Sequence, residues 1–368
     1  MSNTLLTSQA IANEALLVLE NNLVMAQLVH RSYSPEFQSG RGATITVRKP
    51  ATFTATAFST TVAAQNVTES SVQVVLDKFY DITAEITSQQ LTLDIVDFSM
   101  QVLQPMMREH AQKVDYNILN TISASVAGHT AVSSTPALGD LANLMAQLDL
   151  QKTPPTERRV VLHPITYAKY AALDAIANAD KRGKPLTINE YSIGRVLGAD
   201  FYMDQNVQTH TSGIADTAGA LKGAATAGAT AATVDALTDA EVIAAGDVFK
   251  VDGSDRGYLI VTGGTVDTNT VTITFTPALD AAILDDAVVT FQDTHKMNLA
   301  FHKNFCTLAT APLAPYLGGV NNSVKSYKGI SCRVAIDGDT STKVNKISID
   351  LLYGVKVLDK ELAARLCD

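Results

Sequence analysis

Charge is scarce in this sequence. Asp, Glu, Lys and Arg together reach 18%, and their balance is acidic, −9 at pH 7. That excludes a surface that grips nucleic acid as a whole, because neutralising phosphates takes a basic face. Cysteine is nearly absent: Cys306, Cys332 and Cys367 are an odd number without paired spacing. No disulfide framework is expected, and the chain reads as one assembled in a reducing cytoplasm. No run approaches the roughly 18 apolar residues of a membrane span. The opening MSNTLLTSQAIANEALLVLE lacks the basic leader and continuous apolar core of a secretion signal.

Signatures of catalysis are missing as well. Gly183-Lys184 runs into Pro185 with no glycine five residues before Gly183, so no phosphate loop is expected. No G-x-S-x-G elbow occurs. His295, His302 and Cys306 lie on one strand-like run without partner cysteines, which argues against a zinc site. His163, before Pro164, reads as a structural histidine. The expectation is a protein with no catalytic residue, no cofactor, no metal and no membrane.

What is present is length and pattern. With 368 residues and 46% hydrophobic side chains, the chain can bury about two domain cores. The dominant stretch is 94–126, where Ile95, Phe98, Val102, Met106, Val114, Ile118 and Ile122 recur in steps of three and four. A second row, Leu103, Met107, Ala111 and Leu119, lies beside the first. This predicts one long helix, opened by Asp94 and Asp97 and kinked at the interior Pro105. Alone, the stretch also fits a connector between two domains.

Before it, residues 8–30 carry Ile11, Ala15, Leu16, Leu19, Leu23, Ala26 and Val29 on one side, predicting a helix that lies on its own core or on a neighbouring subunit. Residues 43–87 alternate: Ile45 and Val47 go out, Val72, Val74 and Leu76 return, and Ile82, Ala84 and Ile86 follow. The pattern predicts a long two-stranded arm with a polar tip.

After the helix, 128–139 reads as a turn-rich connector, Leu138 to Leu150 as a helix, Val160 to Leu162 as a buried strand, and 165–177 as a helix. Residues 211–294 change character: a Gly/Ala/Thr tract, 219–233, reads as a flexible linker. Short strands with frequent turns follow and predict a small β-barrel with Val271, Ile273 and Phe275 in its core. Asp252, Asp255 and Arg256 fall on a turn there, either a contact to neighbours or a solvated loop. At the end, Ile330 to Ile336 and Ile347 to Leu351 alternate around Asp337-Gly338, predicting a hairpin. YGVKVL adds a strand and DKELAARL a helical tail.

The order of these parts, with NTLLTSQAIANEALLVLENNLVMAQLVHR, TVRKPATF, VTESSVQVVLDKFYDITAEITSQQLTL, GRVLGADFYMDQNV, NLAFHKNFCTLATAPL and ISIDLLYGVKVLDKELAARL, resembles the major capsid protein of tailed bacteriophages, in the coat type of short-tailed phages with an inserted β-domain. The resemblance implies an α+β fold: N-arm (1–42), E-loop hairpin (43–87), spine helix (88–135), A-domain (136–210), insertion (211–294), and a return through A- and P-domain strands (295–368). It implies a non-enzymatic protein of the virion capsid that assembles with itself into pentamers and hexamers in the host cytoplasm. Implied partners are a separate scaffolding protein, a portal protein, packaged DNA held without sequence-specific contact, and a decoration protein in some members. The alternatives are a bacterial nanocompartment shell and a phage tail or adhesion protein.

Candidate assembly residues follow. Ile45, Val47, Val72, Val74 and Leu76 form the apolar face of the arm, and Pro105 shapes the spine. Asp252, Asp255 and Arg256 mark the insertion turn. The resemblance gives Glu14 and Glu20 a further role, docking a basic scaffolding helix, although acids near a helix start also complement its dipole.

Overall fold

The computed structural model describes residues 8–34, 42–49, 53, 55, 57, 66–67, 69–87, 98–133, 135–178, 190–214, 218–316, 321–327, 329–339 and 341–368. The chain divides into two units: residues 1–23, 31–114 and 307–358 in the first, and residues 24–30, 115–306 and 359–368 in the second. Among the described residues, no helix is long and apolar enough to cross a membrane.

The first unit is built on a five-stranded sheet. The long strand Val344–Val357 pairs with Ile330–Asp339, which pairs with Asn321–Tyr327; Lys78–Thr87 and Cys306–Thr310 share the other edge of the long strand. Ile347, Ile349, Leu351 and Tyr353 alternate onto one face and are buried. The N-terminal helix Ser8–Asn22 packs on Asn321–Tyr327 and Ile330–Asp339, burying Ile11, Ala12, Ala15, Leu16 and Leu19 at helical spacing. Its partner is therefore its own sheet, the simpler of the two expectations. His110 of the central helix is also tied to this sheet, its ring Nε2 3.0 Å from the Ile349 carbonyl oxygen.

That central helix differs from the expected one at its start. Residues 88–97, with Asp94 and Asp97, lie outside the described residues. A π-helical turn, Ser99–Leu103, leads into the α-helix Gln104–Ser123. Phe98 is already helical and the π-turn runs without a break into the α-helix, so Pro105 lies inside a continuous helix, directly after the π-turn. An interior proline cannot donate to the preceding turn and its ring crowds that turn's carbonyl, and a π-turn, one residue wider, is a recognised place for a helix to bend.

The second unit contains a seven-stranded sheet and a closed barrel. In the sheet, the neighbours run Gly128–Ala131, Ala363–Cys367, His295–His302, Arg158–Leu162, Ala199–Met203, Arg195–Val196, with Thr209–His210 extending along His295–His302. Helices Leu138–Leu150 and Pro164–Ala171 cover one face through Leu141, Leu144, Leu148, Tyr167 and Tyr170. Two expectations fail here. The stretch taken for a connector supplies the strand Gly128–Ala131. The expected helical tail is a short 3-10 turn, Lys360–Leu362, followed by the strand Ala363–Cys367. That strand lies between two neighbours and is buried throughout; the pairing outweighs the helix propensity of Ala and Leu.

The barrel closes in the order Ala231–Asp235, Val271–Thr276, Tyr258–Thr262, Val248–Val251, Val288–Phe291, Ala218–Leu221. Val271, Ile273 and Phe275 point inward as predicted and are buried with Phe249, Tyr258 and Phe291. The Gly/Ala/Thr tract is not a linker: it supplies two barrel strands. Its small residues are needed for closeness, since a Cβ on Gly219 would stand 2.9 Å from Leu237 Cδ2 and Val234 Cγ1.

Candidate assembly surfaces

The arm of the first unit is a hairpin, Thr44–Arg48 against Ser71–Val75. Its register sets Ile45 opposite Val74 and Val47 opposite Val72, so the predicted apolar residues meet as cross-strand pairs on one face. The third predicted run, Lys78–Thr87, leaves the arm and pairs along Val344–Val357 for ten residues. Residues 43–87 are therefore a hairpin plus a sheet strand. At the base, Val74 and Leu76 are buried with Ala309, while Ile45, Val47 and Leu352 pack half-buried beside them. Gly354 permits this contact, because any Cβ there would collide with the Val75 carbonyl oxygen. Toward the tip the cover ends: Phe53 and Val67 are 64% and 67% exposed. An isolated two-stranded ribbon is marginal in water, and this one is closed at its base and open beyond it.

Glu14 is half-buried and has a partner within the chain. The side chain of Glu20 lies outside the described residues. The helix that carries them presents Leu17 to solvent, 52% exposed.

The insertion turn is tied to its own subunit. Ser254 Oγ donates to Asp280 Oδ1 at 2.9 Å, and Tyr258 OH to the same oxygen at 3.1 Å. Gln147 Nε2 donates to the Asp255 carbonyl oxygen at 3.0 Å, and Arg256 Nη2 stands 3.7 Å from Glu361 Oε1. Asp252 and Asp255 keep exposed side chains. Arg256 is thus engaged inside the chain, and the turn is docked on helix Leu138–Leu150 rather than held free. Gly257, next along, has no room for a Cβ against His129 Nδ1 and the Ala127 carbonyl oxygen.

Polar side chains that drew a chemical reading have structural partners. His163 accepts from Ile165 N at 3.2 Å and caps its helix, and His302 does the same for Asn304 N. His295 Nδ1 lies 2.6 Å from the Asp293 carbonyl oxygen. Cys306, Cys332 and Cys367 are all buried and outside any disulfide, and burial pushes Cys332 and Cys367 up to about 12. Among the described residues no three His, Cys, Asp or Glu side chains cluster as metal ligands.

The sequence reading missed Asp115. It is buried within the central helix and its carboxylate accepts Val24 N at 2.7 Å and Ala26 N at 3.1 Å, fixing the short helix Met25–Leu28. Burial pushes its carboxyl up to about 7 against the pull of these donors. Nothing in the local pattern marks Asp115 as buried, because only the tertiary structure brings a covering segment to it. Gly354 was also missed, although a glycine inside the strand-like YGVKVL does signal a close backbone approach.

Residues 241–364, from the barrel to the C-terminal strand, match the family described as P22 coat protein, gene protein 5. No curated protein matches the chain in sequence. In fold the chain is similar to a structure from Mycobacterium phage Che8, with 14% identity, a TM-score of 0.52, and 94% of this chain and 90% of that one covered. It is likewise similar to the capsid structure of cyanophage P-SCSP1u, at 13% identity and a TM-score of 0.53, covering 94% and 88%. The hairpin arm, the long central helix, the layered second unit and the barrel make up a chain that has the fold of these phage structures, and its residues from the barrel to the C-terminal strand carry the coat-protein match.

Proposed function

We propose that copies of this chain close, as pentamers and hexamers, into the icosahedral shell of a tailed bacteriophage around double-stranded DNA. The observation that carries the reading is the family match over residues 241–364 within a chain of which 94% is covered by a phage capsid structure of similar fold. The arm supports it physically: its tip exposes Phe53 and Val67, and permanent assemblies bury about 2,000–5,000 Å² per interface, area that a protruding ribbon supplies. The net charge of −9 suits a container that must hold DNA without adhering to it. No catalysis is part of this role. Assembly takes place in the host cytoplasm on a separate scaffolding protein, with a portal protein at one vertex and, in some shells, a decoration protein outside.

Docking of a basic scaffolding helix at Glu14 and Glu20 belongs to the same proposal. Such contacts contribute about 0–1 kcal/mol each and gain strength from many copies. The test is electron microscopy of the chain produced with and without its scaffolding protein. Closed shells with five- and six-fold capsomers are expected, and nuclease-protected DNA inside particles from infected cells. Trimers or fibres under every condition would overturn the shell reading. Co-assembly unchanged by Glu14→Lys with Glu20→Lys across a salt series would remove the scaffold contact alone.

A further inference from the structure

The second unit buries an arginine with too few partners. Arg365, in the C-terminal strand, is 0% exposed. Its Nη2 donates to the Ser123 and Val126 carbonyl oxygens, both at 2.8 Å, at the end of the central helix. Its Nε and Nη1 have no hydrogen-bond partner. The register shows what shares its face. Arg365 stands opposite His129 on one side and Leu299 on the other, and His295 lies four residues before Leu299 on the same strand. Met297 N bonds the Gln208 carbonyl oxygen at 2.9 Å, which sets Gln208 opposite Met297, again on that face. His295 Nε2 and Gln208 Nε2 are likewise buried without partners.

This is the face on which the barrel sits: Ala127 and Cys367 of the sheet region pack against Val248 and Leu259 of the barrel. The barrel also brings Lys250, half-buried and held below the usual lysine range by its burial. The carboxylate that acts on Arg365 is Asp247, whose oxygens are bonded elsewhere. Asp247 Oδ1 takes His210 Nε2 at 2.7 Å and its Oδ2 takes Ala244 N at 2.8 Å. The His129 and His295 imidazoles are kept neutral, depressed by burial to about 3 and about 4, so they add no charge, but they supply no anion either. Arg365 thus feels the charge of Asp247 but has no anion on its own free nitrogens, and a buried cation short of a directly paired anion is destabilising; the bare nitrogens of Arg365 and Gln208 are donors only.

We propose that the junction between barrel and sheet binds a small monovalent inorganic anion, of halide size, on the free nitrogens of Arg365 with Gln208 and His295 beside it. The anion completes the charge balance of Arg365 and so strengthens the seating of the barrel. Solvent water could satisfy hydrogen bonds there but not the charge, and this difference is what an experiment reads.

Thermal unfolding of the full chain in sodium gluconate, titrated with sodium bromide at constant ionic strength, provides the test. The expected result is a saturable rise in the midpoint of about 2–6 °C. Gln208→Leu, which removes one half-buried donor and leaves the charge, should weaken the apparent bromide affinity about tenfold. Bromide anomalous scattering from crystals should show a peak beside Arg365. A midpoint indifferent to the anion at constant ionic strength, or a bromide response identical in Gln208→Leu, overturns the proposal and leaves buried water at these nitrogens. Neither outcome depends on whether shells form, so this test stands apart from that of the assembly role.

Discussion

The barrel and the arm hairpin are both short antiparallel strands rich in Thr, Val and Ile, yet they end up as opposite kinds of structure. The barrel strands close on one another, so every inward residue from Leu221 to Phe291 is covered by the same module. The hairpin has two strands; among the described residues its apolar face is covered at the base, by Ala309, Ala311, Leu352 and Leu358. Strand composition is similar in the two, and the difference lies in the number of strands that can wrap. Six close a core and two cannot. The barrel is therefore complete within one chain, whereas the arm is finished by whatever it lies on.

The comparison breaks most visibly at the tip of the arm. Deleting residues 55–69, which leaves both strands, should abolish stable shells while changing the unfolding midpoint of the chain by less than about 2 °C. Normal capsids from the deletion would refute it. In the barrel the effect should fall on folding. Phe249 packs with Tyr258 and Phe275 at ring distances of 5.4 Å each and with Phe291 at 6.0 Å. Phe249→Ala should cost about 3–5 kcal/mol, read as faster hydrogen exchange across Val248–Val251 with the hairpin amides unchanged.

Gly354→Ala probes the base that joins the arm to its sheet. The added methyl meets the Val75 carbonyl oxygen, and the displacement should cost about 1–3 kcal/mol. Limited proteolysis should then cut the arm faster, and an unaltered cleavage rate would show that the base is not a close fit.

Acid should separate the two regions more gently. His129 and His295 have folded-state values of about 3 and about 4, below the ordinary 6.5, because burial disfavours their charged form. Their contribution is therefore fully present above pH 6.5 and is lost as pH falls toward 4 and 3, where the unfolded chain takes up the protons first. Asp115, raised to about 7, works the other way: folding binds its proton, so its contribution grows as pH falls from 7 toward 4. Below about pH 4 the gain from Asp115 is complete, while the loss from His129 continues toward 3. Exchange protection of Gly128–Ala131, corrected for intrinsic rates, should fall there, while the hairpin, which has no histidine between residues 43 and 87, should not follow. The smallest effect belongs to the insertion turn. Arg256 and Glu361 form a loose pair whose acid is more than half exposed, so Arg256→Ala should change stability by about 0–1 kcal/mol. Charge reversal at Asp255 should leave shell stability unaltered.

Some of this molecule could be read from local pattern. Alternation fixed the inward residues of the barrel and the hairpin from Ile330 to Val357, since period-two burial needs no knowledge of the partner. The bounds of Leu138–Leu150 followed from its apolar spacing and the prolines beyond it. The apolar face of the arm was equally plain, because Ile45, Val47, Val72 and Val74 alternate whether or not anything covers them. What local pattern did not decide was who pairs with whom. Lys78–Thr87 looks like a continuation of the arm until it is seen lying along Val344–Val357, 257 residues away at the pair Thr87 with Val344. Ala363–Cys367 carries residues that favour a helix, and becomes a strand because Gly128–Ala131 and His295–His302 leave a gap with unpaired backbone groups on both sides. Asp115 and Arg365 look like surface charges in the sequence and are buried ones in the fold. Burial is a property of the segment that arrives to cover a residue, and that segment is chosen by tertiary packing, where long-range backbone pairing outweighs local propensity of a few tenths of a kcal/mol per residue, on the order of those in helices.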